Sequence, residues 1–240
     1  MAEPEVTRLI PLLETGDITN CQIMPWGSNY TFIVTIGNKK MRCQAVYKPR
    51  RGETPLWDFP AGTLYMREYA SYLVSEALGW SFIPPTTIRE GPHGIGSLQL
   101  YVEAKPNSDY FSFRADHTTE LMRIAAFDYL ANNADRKAGH CVLGANGKVW
   151  GIDHGLTFHV VPKLRTVIWD FAEQPLPEEI TADLKAFREK LAGENEFAEQ
   201  LPKLLSRDEI AALRRRAETL IQSGKFPAMG PGRNVPWPLY

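Results

Sequence analysis

The chain has 240 residues, of which 44% are hydrophobic and 23% are charged, the composition of a globular protein that can bury a sizeable core. A formal net charge of −1 does not favour a nucleic-acid-binding protein, which would normally carry a strong basic bias. The three cysteines lack CxxC spacing and are odd in number, which disfavours a zinc knuckle or a disulfide framework and favours a reducing compartment. The sequence contains no run of the roughly 20 apolar residues that a membrane span needs, and no basic secretory signal. We therefore expect a cytoplasmic globular protein.

The first half of the chain is typical of a β-rich lobe. After a short predicted helix over residues 5–15, β-rich runs at 30–36 and 41–47 flank Gly37-Asn38, which predicts a hairpin. Residues 50–62 are broken by glycine and proline and predict a loop. From Thr63 the apolar residues share a helical face that Gly79 ends, and residues 82–104 predict a second hairpin. The predicted order is β-β-α-β-β.

The second half is mainly helical. An amphipathic helix ends at Asn132-Asn133, and a tight hairpin follows with its turn at Ala145-Asn146-Gly147. Helices are predicted at about 176–192, 197–204 and 207–223, before a Pro/Gly-rich tail that cannot continue a helix. We expect an α+β chain with an N-terminal β-rich lobe at 1–103, a helical C-terminal lobe at 104–226 and a tail at 227–240.

Lys48 and Glu68 are the first candidate site residues. Lys48 ends a β-run and points inward by strand alternation, which is costly unless an anion meets its ammonium group. Glu68 follows in the predicted helix, beside apolar positions, and is a natural partner for the lysine. Taken singly, each has a plainer interpretation, since a lysine can extend its charge to water and helix acids are usually solvated.

Asp135 and Asp153 are more specific. They lie 18 residues apart in loops on either side of the predicted hairpin, which brings two carboxylates together. Such a pair suits phosphoryl transfer, where one aspartate holds a metal ion on the phosphates and the other positions the nucleophile. The order Gly27, Lys48, Glu68, Asp135, Asp153 matches a kinase, with a glycine turn over the phosphates, a strand lysine and its helix glutamate. The pattern predicts a two-lobed protein-kinase-like fold.

Several longer strings carry a resemblance to a known family. They are AVYKP (45–49), REYASYLVSEALG (67–79) followed by IPPT, GSLQLYVEA (96–104), ADRKAGH (134–140) and IDHGLTFH (152–159). In this order they resemble the phosphatidylinositol 3-/4-kinase-like superfamily, and most closely the type II phosphatidylinositol 4-kinases and their bacterial relatives. The resemblance covers residues ~26–160, over half of the chain.

The resemblance implies ATP as the bound nucleotide and a divalent cation, Mg²⁺ or Mn²⁺, as its companion. Lys48 would contact the phosphates with Glu68 as its partner, Asp135 would be the catalytic aspartate and Asp153 the metal ligand. Gly27 and Ser28 would lie in the phosphate-covering loop. The hinge strand that meets adenine through backbone groups would consist of Gln99, Leu100, Tyr101 and Val102.

His140 departs from the family pattern, which has a metal-binding asparagine at this position. A neutral histidine can bind a divalent metal, but its softer nitrogen suits Mn²⁺ or Zn²⁺ better than Mg²⁺. The acceptor is also open, because the fold does not fix the substrate and the sequence has no palmitoylated Cys-rich loop or basic amphipathic helix. A lipid, a protein or a small molecule could supply the hydroxyl, and peripheral membrane contact stays possible.

Other interpretations stay open. A pseudokinase would bind nucleotide or a partner without turnover, and a related enzyme would transfer AMP and release pyrophosphate. A metal hydrolase could use His140, Asp153, His154 and His159 as ligands, although a catalytic zinc site needs three firm ligands. The loop bases Arg50, Arg51, Arg136 and Lys137 would either bind an acidic substrate group or be solvated. Trp57 and the lone cysteines Cys21, Cys43 and Cys141 are expected to serve in packing.

Overall fold

The computed structural model describes residues 9–25 and 27–240, which form two lobes joined by an extended segment after Leu100. The N-terminal lobe contains α1 (Ile10–Thr15), β1 (Asp17–Ile23), β2 (Phe32–Gly37), β3 (Arg42–Pro49), α2 (Leu64–Ala77), β4 (Thr86–Gly91) and β5 (Gly94–Leu100). The C-terminal lobe contains α3 (Tyr110–Phe113), α4 (Thr118–Leu130), β6 (Cys141–Leu143), β7 (Val149–Gly151), α5 (Glu178–Ala192), α6 (Glu196–Gln200) and α7 (Arg207–Ser223). The predicted α+β class is confirmed, whereas the exact boundaries at 103 and 227 stay predictions.

The N-terminal sheet is antiparallel and has the strand order β1-β2-β3-β5-β4. Both predicted hairpins are present in it. In the β2–β3 turn, Oδ1 of Asn38 accepts hydrogen bonds from the backbone N–H groups of Lys40 (2.8 Å) and Met41 (3.1 Å). The β4–β5 turn is closed by the pair Gly91 and Gly94, and the positive φ of +92° at Gly94 suits a residue without a side chain.

Strand β1 was not predicted, so the predicted order lacks one strand. β1 is an edge strand that pairs only with β2, and most of its side chains are polar and exposed. It therefore lacks the apolar alternation by which a half-buried strand is found. The predicted helix at 5–15 is observed as Ile10–Thr15, and residues 5–8 of that prediction lie outside the described part of the chain.

Helix α2 belongs to both lobes through its packing. It contacts β4 and β5 of the sheet, while its buried residues Ala70, Val74 and Ala77 are part of the core of the C-terminal lobe. Arg67, which is 1% exposed, extends from α2 to Oε1 of Glu209 at 2.5 Å and to the backbone oxygen of Thr157 at 2.6 Å. The C-terminal lobe therefore anchors this helix firmly.

The C-terminal helices follow the predicted order with one correction. The helix predicted at 197–204 is a short α6 followed by a 3₁₀ turn at Leu201–Lys203, because Pro202 cannot continue the α-helical hydrogen-bond pattern. The tail is irregular, as predicted, and returns to the loop after α4, where the N–H of Ala138 donates to the backbone oxygen of Leu239 (2.8 Å).

The packing predictions had mixed outcomes. Cys141 is buried, and the half-buried Cys21 and Cys43 pack against the hydrophobic core of the N-terminal sheet, as predicted. The prediction for Trp57 was wrong, since its side chain is 93% exposed at the tip of the loop before α2. In the described ranges, the helices are all too short or too polar to cross a membrane.

Candidate active site

Lys48 lies at the point where the two lobes meet. Strand β3 carries it opposite Ser97 of β5. Its ammonium group donates a hydrogen bond to Oε1 of Glu68, which is 3% exposed on α2, and a second one to Oδ1 of Asp153 at 2.8 Å. The expected Lys48–Glu68 pair is therefore formed, and Asp153 of the C-terminal lobe joins it.

The charges at this point fix the protonation states. Burial alone would lower the pKa of Lys48, but the carboxylates of Asp153 and Glu68 outweigh it and raise the pKa above its usual value. Lys48 in turn holds the pKa of Asp153 well below its ordinary range. The site therefore presents a permanent ammonium group and an ionised Asp153 near neutral pH.

Glu68 also fixes the loop that carries Asp153. Its second oxygen, Oε2, accepts a hydrogen bond from the backbone N–H of His154 at 3.0 Å. Asp153 itself has a φ of +59°, in the left-handed region that aspartate tolerates better than most residues. This backbone turn is therefore held by a contact from α2, a link that the sequence did not reveal.

Asp135 is positioned by the end of α4. Asn132 ends the helix with a φ of +51°, and the side chain of Asn133 accepts a hydrogen bond from the N–H of Asp135 at 3.0 Å. Burial raises the pKa of Asp135, and Nζ of Lys137 at 3.3 Å from Oδ2 opposes that shift. A carboxylate with a raised pKa is a better proton acceptor, which suits the role expected for Asp135.

His140 lies between the two aspartates. Its Nδ1 is 2.9 Å from the backbone oxygen of Asp135, and its Nε2 is 3.3 Å from Oδ2 of Asp153. Burial lowers the pKa of His140 to about 4, so the ring is neutral at pH 7. The backbone N–H of Lys137 also points at Nδ1, at 3.4 Å, but the contact of Nδ1 with the carbonyl oxygen is the shorter one. A carbonyl oxygen only accepts hydrogen bonds, so we place the hydrogen on Nδ1, which leaves an Nε2 lone pair facing the carboxylate of Asp153.

Nε2 of His140 and the carboxylate of Asp153 each direct a lone pair at the other, an arrangement that favours a cation bound by both. Nε2 of His140 and the carboxylates of Asp153 and Asp135 are chemically suitable ligands for a divalent metal ion. Among the described residues, however, no three His, Cys, Asp or Glu side chains are arranged to hold a metal ion by themselves. A bound Mg²⁺ or Mn²⁺ would need further oxygens, such as those of nucleotide phosphates.

Arg136 connects the loops that carry Asp135 and Asp153 from inside the C-terminal lobe. Its guanidinium group is fully buried and binds the carboxylate of Asp128 at 2.9–3.1 Å. It also donates to the backbone oxygens of His140 (3.2 Å) and Ile152 (3.0 Å) and contacts Nε2 of His154 at 2.6 Å. Both interpretations of Arg136 as an exposed base are therefore wrong, because it is a structural cation inside the lobe.

The remaining histidines of this region serve the packing. His154 is completely buried between Arg136 and the aromatic rings of Phe82 and Phe127. His159 contacts the ring of Phe59 and its own loop. Neither is placed to complete a metal-hydrolase cluster with His140 in the described structure.

A cleft of about 510 Å³ brings all the predicted site residues together, and this size is typical of a small-molecule site. Predicted residues that line it are Gly27, Ser28, Lys48, Glu68, Gln99, Leu100, Tyr101, Val102, Asp135, His140 and Asp153. Apolar side chains that line it include Val46 from the sheet and Val142 and Ile152 from the C-terminal lobe. The cleft thus has an apolar part beside the hinge and a charged part beside Lys48.

Few backbone hydrogen-bonding groups of the hinge strand are free to bind a ligand. The N–H groups of Leu100 and Tyr101 already donate to Pro85 and Gln44, and the side chain of Gln99 donates to Thr86. Within the described chain, the backbone of Val102 has no hydrogen-bond partner. Val102 is therefore the hinge residue best placed to meet a ligand through its backbone.

Arg50 and Arg51 do not lie in the cleft. They are exposed and line a separate depression with Gly62 and Glu90 on the N-terminal lobe. Positive charge beside the expected phosphate position comes instead from Lys48 and Lys137, both of which line the cleft.

Sequence comparison identifies the family. The sequence model described as phosphatidylinositol 3- and 4-kinase matches residues 18–221, most of the chain. The chain belongs to the phosphatidylinositol 3- and 4-kinase family. The predicted resemblance to the phosphatidylinositol 3-/4-kinase-like superfamily is therefore confirmed.

Individual relatives differ in extent. Protein Rv2133c of Mycobacterium tuberculosis is 38% identical over 95% of this chain and 94% of its own length. Phosphatidylinositol 4-kinase gamma 4 of Oryza sativa is 28% identical over 49% of this chain, and the match covers only 25% of the plant protein. Most of the plant protein therefore lies outside the matched region.

Solved structures support the two-lobed kinase fold. The Golgi casein kinase with Mn/ADP bound has a TM-score of 0.55 at 16% identity, covering 93% of this chain and 76% of its own. The Helicobacter pylori proinflammatory kinase CtkA has a TM-score of 0.51 at 11% identity, covering 89% and 94%. At these identities the likeness concerns the fold alone, and it confirms the predicted kinase-like architecture.

Proposed function

We propose that the protein is an ATP-dependent phosphotransferase that transfers the γ-phosphate to a hydroxyl acceptor. One observation carries the proposal: Lys48 binds both Glu68 and Asp153 in a cleft that also contains Asp135. An early-strand lysine, a helix glutamate and two loop aspartates are the parts that phosphoryl transfer requires. Family membership and the kinase fold support phosphotransferase chemistry in general.

Each charged residue has a role in this proposal. Lys48 contacts the ATP phosphates, and Glu68 holds its ammonium group in place. Asp153 and His140 hold a divalent cation, Mg²⁺ or Mn²⁺, which when bound neutralises negative charge on the phosphates. Asp135 accepts a hydrogen bond from the acceptor hydroxyl and positions it for attack.

The uncharged residues orient the nucleotide. Gly27 has a φ of +109° and, with Ser28, covers the phosphates through the backbone. The hinge residues Gln99, Leu100, Tyr101 and Val102 border the adenine position, with the backbone of Val102 supplying the polar contact.

The acceptor belongs to one of three classes. The plant relative is named as a phosphatidylinositol 4-kinase, which favours an inositol lipid, and the solved structural relative is named as a casein kinase, which favours a protein. A small molecule is the third class. The free thiols Cys21, Cys43 and Cys141 support the cytoplasm as the compartment in which the acceptor is met.

A pseudokinase is the second candidate, and His140 is the observation that favours it. His140 stands at the position where the family pattern has a metal-binding asparagine and contacts Asp153 directly. A nucleotide could then bind without productive metal geometry, so the protein would act as a nucleotide-dependent binding module.

The deciding experiment uses the full chain with γ-labelled ATP and either Mg²⁺ or Mn²⁺. Parallel reactions contain phosphatidylinositol vesicles, dephosphorylated casein or a metabolite pool, and both ADP and pyrophosphate are measured. We expect ADP and label transfer in one pool. Thermal stabilisation by ATP without ADP formation would establish the pseudokinase, and pyrophosphate release would indicate AMP transfer. The proposal would be refuted if ATP caused no thermal stabilisation and no product formed in any pool.

A further inference from the structure

The loop before α2 bridges the two lobes, and we name residues 53–62 the bridging loop. Glu53 and Leu56 from this loop line the nucleotide cleft. We propose that Asp58 and Lys163 form a latch that holds the bridging loop across the cleft and thereby positions the phosphate-covering loop on the nucleotide. The inference rests on the proposed function and assigns positioning residues that do not touch the reacting atoms.

The latch is a shielded ion pair. Nζ of Lys163 lies 2.8 Å from Oδ2 of Asp58, and the two side chains are only 12% and 14% exposed. Burial would raise the pKa of Asp58, but the hydrogen bond and charge of Lys163 outweigh burial and lower it. Such a pair is less screened by solvent than an exposed surface pair, and removing one partner leaves a partly buried charge.

Aromatic contacts support the same position. The ring of Phe59 meets the ring of His159 at a centroid distance of 5.3 Å and packs with Ala134, the residue before Asp135. Nζ of Lys163 lies 5.2 Å from the centroid of the exposed Trp57 ring. The bridging loop therefore rests on the C-terminal lobe directly beside the catalytic loop.

The anchor on the C-terminal lobe is itself fixed. The N–H of Lys163 donates to Oδ1 of Asn132 at 2.7 Å, and the amide nitrogen of Asn132 donates to the backbone oxygens of His159 and Val161 at 2.8 Å each. The residue that ends α4 thus holds the segment that carries Lys163. The latch connects the bridging loop to a rigid part of the lobe.

The other end of the bridging loop holds the phosphate-covering loop. The N–H of Thr54 donates to Oδ1 of Asn29 at 2.7 Å, and its hydroxyl donates to the backbone oxygen of Ser28. Glu53 accepts a hydrogen bond from the N–H of Tyr65 at 2.8 Å, in the first turn of α2. Pro55 restricts the backbone between these contacts and Asp58, so a displacement at one end is transmitted to the other.

The physical consequence concerns nucleotide retention. With the latch closed, the bridging loop covers one side of the cleft and keeps Ser28 and Asn29 in place over the phosphate position. With the latch broken, this loop loses its support from the C-terminal lobe, so the nucleotide should dissociate faster. Loops that close over substrates in this way control release and exclude water from the reacting groups.

The test measures dissociation of a fluorescent ATP analogue with Mg²⁺ or Mn²⁺ from the full chain. Asp58→Asn and Lys163→Met should each increase the dissociation rate about fivefold or more, within the range that residence times vary among variants of one site. The double variant should be no faster than the singles, because both substitutions break one interaction. Lys163→Arg keeps the charge and should stay close to wild type.

Two further variants separate positioning from stability. Thr54→Val removes the hydroxyl bond to Ser28 at the far end of the loop and should also accelerate release. Glu218→Gln breaks a partly exposed pair with Arg188, neither residue of which lines the cleft, and should leave the rate unchanged. Melting temperatures without nucleotide show whether each variant is folded, and Thr54→Val keeps the test valid if Lys163→Met unfolds.

The outcomes are distinct. If the wild-type chain does not bind the analogue, the proposed function fails and this inference fails with it. If the wild type binds but the latch variants release nucleotide at the wild-type rate, only the inference is overturned, even if those variants melt earlier. A wild-type rate in Thr54→Val alone would overturn the transmission to the phosphate-covering loop.

Discussion

Oδ1 of Asp153 lies 2.8 Å from Nζ of Lys48, although the two residues are 105 positions apart in the sequence. Lys48 comes from the β-sheet and Asp153 from the loop after β7, so this contact joins the lobes at the base of the cleft. A nucleotide with its metal ion would separate the charges, because phosphates attract the ammonium group and the cation attracts the carboxylate. The pair therefore occupies the position in which the proposed chemistry takes place.

Breaking this pair should remove nucleotide turnover. Lys48→Met and Asp153→Asn should each lower kcat/KM for ATP by about 100-fold or more, the scale seen when a preorganised charged contact to the transition state is lost. The double variant should lose less than the sum of the two effects, because the residues act on the same phosphates. Steady-state ADP formation measures this, and an unchanged dependence on ATP would exclude Lys48 from the site.

Replacing Asp135 should separate chemistry from binding. Asp135→Asn keeps the shape but loses the proton acceptor, so transfer should fall by about 10²–10⁴-fold while thermal stabilisation by ATP persists. Asp208→Asn, on the exposed first turn of α7, is a matched control that should behave like wild type. Wild-type ADP production by Asp135→Asn would show that the assigned role is incorrect.

Changing His140 should alter the metal preference. His140→Asn supplies the oxygen ligand of the family pattern, so activity with Mg²⁺ should rise several-fold relative to activity with Mn²⁺. The measurement is the ratio of ADP formation rates at saturating concentrations of each metal. His117→Asn, at the start of α4, serves as the control, and an unchanged ratio in His140→Asn would contradict metal binding by His140.

Removing Arg136 should destabilise the C-terminal lobe. Arg136→Met leaves the buried Asp128 without its cation, a change that costs about 3–5 kcal/mol of the free energy of unfolding. In a chain of this size this corresponds to about 6–20 °C in melting temperature. Arg188→Met, which removes surface pairs with Glu189 and Glu218, should change the stability by less than about 1 kcal/mol. Urea denaturation compares the two, and similar losses would refute the structural role of Arg136.

Glu209 should make stability depend on acid pH. Burial alone would raise its pKa, but the hydrogen bond from the backbone of Ser206 and the charge of Arg67 lower the pKa below its usual value. A depressed carboxyl pKa contributes stability above the unfolded value of about 4.3, and that contribution is lost as the pH falls through the folded pKa. Wild type should therefore be more stable than Glu209→Gln at pH 7 by about 1–3 kcal/mol, with the difference shrinking below pH 4. A constant difference across this range would contradict the ionic contribution.

The parts of the fold that the sequence predicted have strong local patterns. The amphipathic faces of α2 and α4 and the β2–β3 turn at Asn38 follow from residue spacing, as does the stop at Gly79. Strand β1 escaped prediction because its residues are polar and its pairing with β2 is the only interaction that defines it. Local patterns do not encode such a pairing.

The candidate site divides in the same way. Chain order and residue type sufficed to select Lys48, Glu68, Asp135 and Asp153, and the structure brings these residues into one cleft. Arg136 was misjudged because its partner Asp128 lies inside the preceding helix, where an aspartate usually faces solvent. The ion pair between Asp58 and Lys163 joins loops 105 positions apart, and no short motif marks it.

Helix α2 is attached to the C-terminal lobe although it belongs to the N-terminal half of the sequence. The buried contacts of Arg67 with Glu209 and Thr157, together with the shared core, attach the helix to the C-terminal lobe. Lys48 lies on the sheet and Glu68 on this helix, so any movement of the sheet relative to the C-terminal lobe would change the separation between the two residues. A pair of probes placed on β3 and α2 would therefore report opening and closing of the cleft more directly than probes placed at the two ends of the chain.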